Sequence, residues 1–387
     1  MSAARSPGLR VALREIRCWR SDWVTVALLS WLPLLASALL LAIFVARTSR
    51  DLPIAVLDHD GSAASRALTD QLDAASGVRV AMQASSLHQA RTAVVRGKVY
   101  AVVEIPAHFR RDVLRGSRPQ VGLLLNQQSM SAANAIARDV QTVVLTASGR
   151  QSAGLRLATG MPPSAVAAAA QPLRVEIHPL FNPGVDYAAY LGIALLVAGL
   201  HCFVALHGVR AVAGERDDGQ RAWSRAADGR WGPAMLGKLG LAWIWWWLYG
   251  LAVLGGAYIW LGLPMMSAPT LFALGWGGLV AAYLGLGAVL AMLLPAHIAY
   301  SGVSALSAPA MAFSGVTFPL AAMPLVPRMF GESLPLTWFL RLQTQLVTER
   351  VDAVLAWPTA GRLWLFALAL VGTSALLLAR HWRRHRP

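Results

Sequence analysis

The chain alternates between long uncharged runs and one long polar stretch. Residues 24–46 carry no charged side chain; at 1.5 Å per residue such a run makes a helix of about 35 Å, enough to cross a bilayer. A polar insert follows over residues 47–184, then an apolar run at 185–207 and a charged segment at 208–238. From Leu239 to Pro327 there is no Asp, Glu, Lys or Arg. Charge in hydrocarbon is costly, so that silence reads as three successive crossings, at 239–263, 270–294 and 298–318, with proline-marked connections between them. Residues 319–361 are amphipathic and broken by prolines, 362–379 form a last apolar run, and 380–387 are a basic tail. The pattern predicts a polytopic α-helical membrane protein with six transmembrane helices and an α/β extracytoplasmic domain inserted between helices 1 and 2.

Inside the insert the period switches between two and 3.6 residues. Strands are expected at 53–57, 78–82, 99–105 and 120–125, and helices at 62–75, 87–96, 107–115 and from 131 to 146 or beyond. Ser86 and Gln89 have capping-box spacing. A last strand at 174–177 leads through a proline- and alanine-rich linker back to the membrane. Repeated strand and helix units argue an α/β domain.

Residues 1–22 hold five arginines. On a helical wheel Leu9, Ala12, Leu13, Ile16, Trp19 and Trp23 share one face, while Arg10, Arg14 and Arg17 gather on another. This is either a helix lying at the cytoplasmic membrane surface or a plain positive-inside anchor. With six spans both termini fall on one side. The short segments on that side hold 5, 6 and 4 basic residues, against three in the segment before the last span, balanced there by three acids. That asymmetry puts both ends in the cytoplasm and the insert outside.

A net charge of +15 would suggest nucleic acid in a soluble protein. Here only two of the 34 basic residues are lysines, and the arginines are scattered without stacking aromatics, so nucleic acid is excluded as a partner. Cys18 and Cys202 are the only cysteines and neither lies in the insert, which excludes a disulfide framework.

Candidate chemistry is sparse. Gly232, Gly237 and Lys238 stand in a G-x-x-x-x-G-K arrangement, but Leu239 replaces the hydroxyl that must reach Mg²⁺ and no strand precedes it, so the match reads as chance and the chain has no ATPase site of its own. Asp58 and Asp60 suit a strand-to-helix turn better than a cation site. The nine histidines show no metal-ligand spacing, and no catalytic serine elbow is present. No cofactor is expected in this chain. Trp243, Trp245, Trp246 and Trp247 read as an interfacial aromatic belt. In the predicted fifth span Ser301, Ser304, Ser307, Ser314 and Gly315 stand around Pro309, which means either tight helix packing or the lining of a translocation path.

The order of one span, an α/β insert and five further spans carries Asp58-His59-Asp60-Gly61-Ser62 at the start of the insert and Ile105-Pro106-x-x-Phe109 in its middle. Near the end stand Gly315-Val316-Thr317-Phe318-Pro319, Met323-Pro324 and Leu334-Pro335-Leu336-Thr337. Together they resemble the type-2 ABC transporter permeases over nearly the whole chain. The resemblance implies a permease subunit of an ATP-driven exporter in a bacterial inner membrane, its insert in the periplasm, paired with a second permease chain and served by separate ABC ATP-binding subunits that hold the ATP and Mg; a periplasmic adaptor protein is a further expected partner. It also implies that the N-terminal surface helix, with Arg14 and Arg17, and the segment carrying Glu215-Arg216 couple to the ATPase. Members often continue from that pair into Gly-Thr and Thr-Pro, whereas this chain reads Asp217-Asp218-Gly219-Gln220-Arg221-Ala222-Trp223. Residues 319–361 would be outward-facing re-entrant helices, with Phe318, Pro319, Met323, Pro324 and Pro335 at the periplasmic exit. A path of small and aromatic groups suggests hydrophobic or amphipathic cargo, such as a drug or lipid. The competing reading is a membrane-anchored scaffold or receptor whose insert binds an envelope partner.

Overall fold

The computed structural model describes residues 6–44, 51–115, 119–126, 130–158, 186, 188–217, 221–264 and 266–384. Contacts divide the chain into residues 48–179 and a second unit formed by everything on either side of them. The described chain is mostly helical (75%), with a small sheet.

The second unit begins with α1 (Pro7–Ser21), opened by a proline in its first turn. Asp22 ends it and caps α2 (Trp23–Leu29) by accepting the N–H groups of Val24 and Thr25. After a break at Ser30, α3 (Trp31–Ile43) completes the first candidate span. Pro33 causes the break: its missing N–H is the one that would have bonded the Leu29 carbonyl.

The insert is a four-stranded sheet in the order β2-β1-β3-β4. The strands are β1 (Leu52–Asp58), β2 (Val78–Ala84), β3 (Ala101–Ile105) and β4 (Gly122–Leu125). β1 runs parallel to both β2 and β3, and β4 closes the edge antiparallel to β3. Both faces are covered, which is why Ile54, Ala55, Val56 and Leu57 are all buried in succession. One face packs Ile54, Val56, Val103 and Ile105 against Leu72 of α4 (Ala63–Asp73) and Ile136. The other packs Ala55, Leu57 and Val102 against α5 (Leu87–Val95). α6 (Phe109–Leu114) and α7 (Met130–Ala158) complete the unit. Ser86 caps α5 through the Gln89 N–H as its spacing predicts, but Gln89 returns its bond to Ser85 rather than Ser86. The strand expected at 174–177 lies outside the described residues.

The remaining chain returns through a π-helical turn (Ala188–Gly192) into α8 (Ile193–Asp217), which runs on into the charged segment that begins at residue 208. α9 (Arg221–Ala226) and α10 (Trp231–Met235) lead through a second π-helical turn (Leu236–Gly240) into α11 (Leu241–Trp260). α12 (Pro269–Leu293) is the buried centre of this unit, packed against α8, α11 and the last helix. Five helices among the described residues are long and apolar enough to cross a membrane: Trp23–Ile43, Ala188–Glu215, Trp231–Trp260, Pro269–Leu293 and Ala353–Arg383.

The span expected at 298–318 differs. It is a broken pair, α13 (Ala296–Ser307) and α14 (Ala310–Phe313), interrupted at Pro309 and stopped at Gly315, whose φ of +87° suits glycine. α13 alone reaches only about 18 Å. Short helices α15 (Leu325–Glu332) and α16 (Pro335–Gln343), the latter running into a π-helical turn at Thr344–Thr348, occupy the proline-broken stretch. The last helix, α17 (Ala353–Arg384), starts well before residue 362 and takes Pro358 inside it.

Candidate functional site

Lys238 is a buried cation. Its Nζ donates to Glu15 of α1 and, at 2.9 Å, to Glu215 near the end of α8. All three side chains are less than a tenth exposed. Arg14 grips Glu215 with both terminal nitrogens, the second at 3.2 Å from Oε2, and Trp19 donates its indole N–H to Glu15 at 3.1 Å. Burial works against the Arg14 charge, but the hydrogen bond and the charge of Glu215 outweigh it and hold its pKa above the ordinary value. Two cations and two carboxylates thus close a neutral cluster that ties α1 to the ends of two long apolar helices.

The close approach is built into the backbone. A Cβ on Gly237 would stand 2.4 Å from the Gly8 carbonyl oxygen, so α1 can lie against this turn only because the residue is glycine. This accounts for the G-x-x-x-x-G-K run: it is helical, its glycine seats α1 and its lysine binds carboxylates. Beside the cluster Arg210 donates to Asp22 and Thr25, around a cavity of about 450 Å³ that the charged residues also line. The Thr25 hydroxyl above all, with Arg210, holds the Asp22 carboxyl below its usual range despite burial.

Of the residues expected to couple to an ATPase, the structure joins Arg14 to Glu215. Arg17 stays apart, donating back to the Leu13 carbonyl at 3.4 Å on the exposed side of α1. The Arg216 side chain lies outside the described residues. Glu15 and Lys238 were missed. Glu15 is the only acid before Asp22 and sits one turn from Val11 and Trp19, a charge on the apolar face.

The small residues expected either to pack helices tightly or to line a path do not share one surface. Ser301 and Ser304 are exposed and bond back to the carbonyls of His297 and Tyr300, while Ser307 and Ser314 are buried. Pro309 marks the helix break. Ser314, Gly315 and Pro319 do meet in a cavity of about 640 Å³ with Tyr190, Trp338 and Arg341. Phe318, Met323 and Pro324 do not line it, and Pro335 is buried in the first turn of α16. Trp243, Trp245, Trp246 and Trp247 each donate an indole N–H across the bundle, to the Gly277 carbonyl, the Leu29 carbonyl, the His207 ring and the Ala273 carbonyl. Among the described residues no cluster of three or more metal-ligating side chains occurs, and Asp58 instead accepts from the Asp60 and Gly61 N–H groups in a turn.

Long apolar helices around a glycine-rich centre, with a separately cored α/β unit in the same chain, define a polytopic membrane protein. The family model described as ABC-2 family transporter protein matches residues 23–377, and the chain belongs to that family. It is the membrane permease subunit of an ABC transporter, a transport subunit whose family works with an ABC ATP-binding partner. A comparison with curated proteins finds no match.

Proposed function

We propose that this chain is an exporter permease of a bacterial inner membrane, working as a pair of permease chains. ATP hydrolysed on separate subunits is coupled to movement of a hydrophobic or amphipathic molecule outward. The observation that carries this reading is the Arg14–Glu215–Lys238–Glu15 cluster. A displacement of α1 by a docked ATPase reaches α8 and α11 through buried ion pairs rather than through loops.

Six crossings also have support beyond the charge asymmetry. Val11 of α1, Trp223, and Leu378 and Trp382 near the end of α17 form one hydrophobic cluster, so the first and last helices meet at the same end of the bundle. An even number of crossings fits that arrangement, and Ala296–Phe313, about 27 Å when followed through its break, is the sixth in this reading. In this reading the insert lies in the periplasm and a periplasmic adaptor is one of its partners.

The test is reconstitution with the co-purified ATPase. Glu215→Ala combined with Arg216→Ala is expected to keep the complex assembled and hydrolysing ATP while transport is lost. Normal transport by the double variant, or repeated failure of any P-loop ATPase to co-purify, overturns the reading.

A further inference from the structure

At the opposite end of α17 from the charge cluster, three arginines converge with a single carboxylate. Trp338 of α16 is nearly buried and fixed by its indole N–H bond to the Glu332 carbonyl at 2.8 Å. Two guanidinium groups stand by this one ring, Arg341 at 5.8 Å and Arg362 at 4.8 Å from its centre. They come from different helices, α16 and α17. The carboxylate of Glu332 is already engaged by Arg328 at 2.8 Å, and neither Arg341 nor Arg362 makes an ion pair among the described residues. Two cations held on one indole repel each other, and an anion placed between them relieves that repulsion.

The wall beside them is apolar. Leu365, Phe366 and Ala369 follow Arg362 by three, four and seven residues, the spacing of one helix face, and line the same cavity of about 630 Å³. Arg362 is the last charge before the uncharged run 363–379, which puts the cationic rim at the edge of the apolar zone with the apolar wall leading inward. Trp382, twenty residues further along α17, marks the far side at about 30 Å, the thickness of the hydrocarbon core.

We infer that this pocket binds an anionic amphiphile: a phosphate-type head between Arg341 and Arg362, and a hydrocarbon tail along Leu365, Phe366 and Ala369. The pocket shares Arg328, Glu332, Trp338 and Arg341 with the cavity lined by Ser314 and Gly315. A bound amphiphile is therefore either a bilayer phospholipid or cargo leaving that cavity; only the second source rests on the exporter reading.

The test uses the full-length protein in detergent, titrated with phosphatidylglycerol, phosphatidylcholine and inorganic phosphate and read by native mass spectrometry. Phosphatidylglycerol is expected to bind in preference to phosphatidylcholine, and Arg341→Gln with Arg362→Gln to weaken it by about tenfold or more. Phe366→Ala should weaken long-chain but not short-chain phosphate esters. Because Arg341 and Arg362 are exposed, their single glutamine variants serve if the pair does not fold. Equal binding of the two lipids, undiminished binding by the arginine variants, or inorganic phosphate binding as tightly as the lipid overturns the proposal. Stimulation of ATP hydrolysis by the amphiphile in the wild-type complex, absent in Arg362→Gln, identifies cargo; binding without stimulation identifies a resident lipid. The binding arm needs no ATPase, so failure of the exporter reading leaves it intact.

Discussion

Trp245 donates its indole N–H to the Leu29 carbonyl oxygen at 3.1 Å, and that carbonyl is the one Pro33 leaves without a helical partner. The next carbonyl, of Ser30, accepts the Tyr249 hydroxyl at 2.7 Å from the following turn of α11. In hydrocarbon a freed carbonyl has no water to turn to, so α11 repairs the break that proline makes in the first span. Trp245→Phe is expected to cost about 1–3 kcal/mol of stability by leaving that acceptor unsatisfied. Pro33→Ala should recover part of the loss only in the Trp245→Phe background, because alanine restores the missing N–H. A double-mutant cycle on thermal midpoints in detergent checks this; strict additivity would separate the two residues.

Removing one partner of a buried ion pair strands the other. Among the described residues, Lys238→Met leaves Glu15 with only the Trp19 indole, and a loss of about 3–5 kcal/mol is expected. Glu215 fares better because Arg14 still holds it. Adding Glu15→Gln should therefore recover most of the loss, since the remaining Arg14–Glu215 pair is again balanced. Limited proteolysis near α1 and the thermal midpoint report the order expected: wild type, double variant, Lys238→Met. A single Lys238→Met variant as stable as wild type would mean that the lysine is not buried as a charge.

Two carboxylates in the insert should respond to pH in opposite senses. The Ser62 hydroxyl above all, with the Arg110 backbone N–H, holds the Asp60 carboxyl below its ordinary value against some burial. Its contribution is present above the unfolded carboxylate pKa of about 4 and is lost as pH falls through the folded value. Asp139 is raised by burial, its carboxylate occupying the space where a Cβ on Gly77 would come within 1.6 Å. Ionising it therefore weakens the fold as pH rises from the ordinary value through the raised one. Relative to wild type, Asp60→Asn should be less stable and Asp139→Asn more stable at neutral pH, and both differences should shrink on acidification. Hydrogen exchange of β1 and β3 in the full-length protein, compared at matched pH, measures both.

The insert was readable because its signals are local. Alternation, buried Val and Ile runs and the serine caps at Ser62 and Ser86 each act within a few residues of the structure they specify. The cluster at Lys238 was not, because its partners lie 223 and 23 residues away and a charge beside glycines looks like a phosphate loop. The indole bonds of the α11 tryptophans were illegible for a related reason: an indole at a membrane boundary and one bonded across a helix pair have the same sequence signature. Hydropathy likewise counts an apolar run without showing how far a proline opens it, so Pro309 read as a point within one span rather than as the boundary between α13 and α14.

The crossing of α8 and α12 depends on two glycines, one on each helix. A Cβ on Gly208 would stand 2.6 Å from the Leu284 carbonyl oxygen, and one on Gly287 would stand 2.3 Å from that of Ala205. Both obstacles are backbone and cannot rotate away, so alanine at either position must push the helices apart. Gly199, on the same helix as Gly208, would meet nothing within 4 Å. Alanine there relieves the helix-interior cost of glycine and should be neutral or stabilising by up to about 1 kcal/mol. Gly208→Ala and Gly287→Ala should each lose about 3 kcal/mol or more, at or above the upper end of overpacking costs. Their double variant should lose less than the sum, because helices already parted by the first methyl accommodate the second. Monodisperse yield and thermal midpoint in detergent rank the four variants. Since α8 also carries Glu215, the alanine that opens this crossing should loosen the ion pairs at its end as well, seen as faster proteolysis of α1 in Gly208→Ala but not in Gly199→Ala.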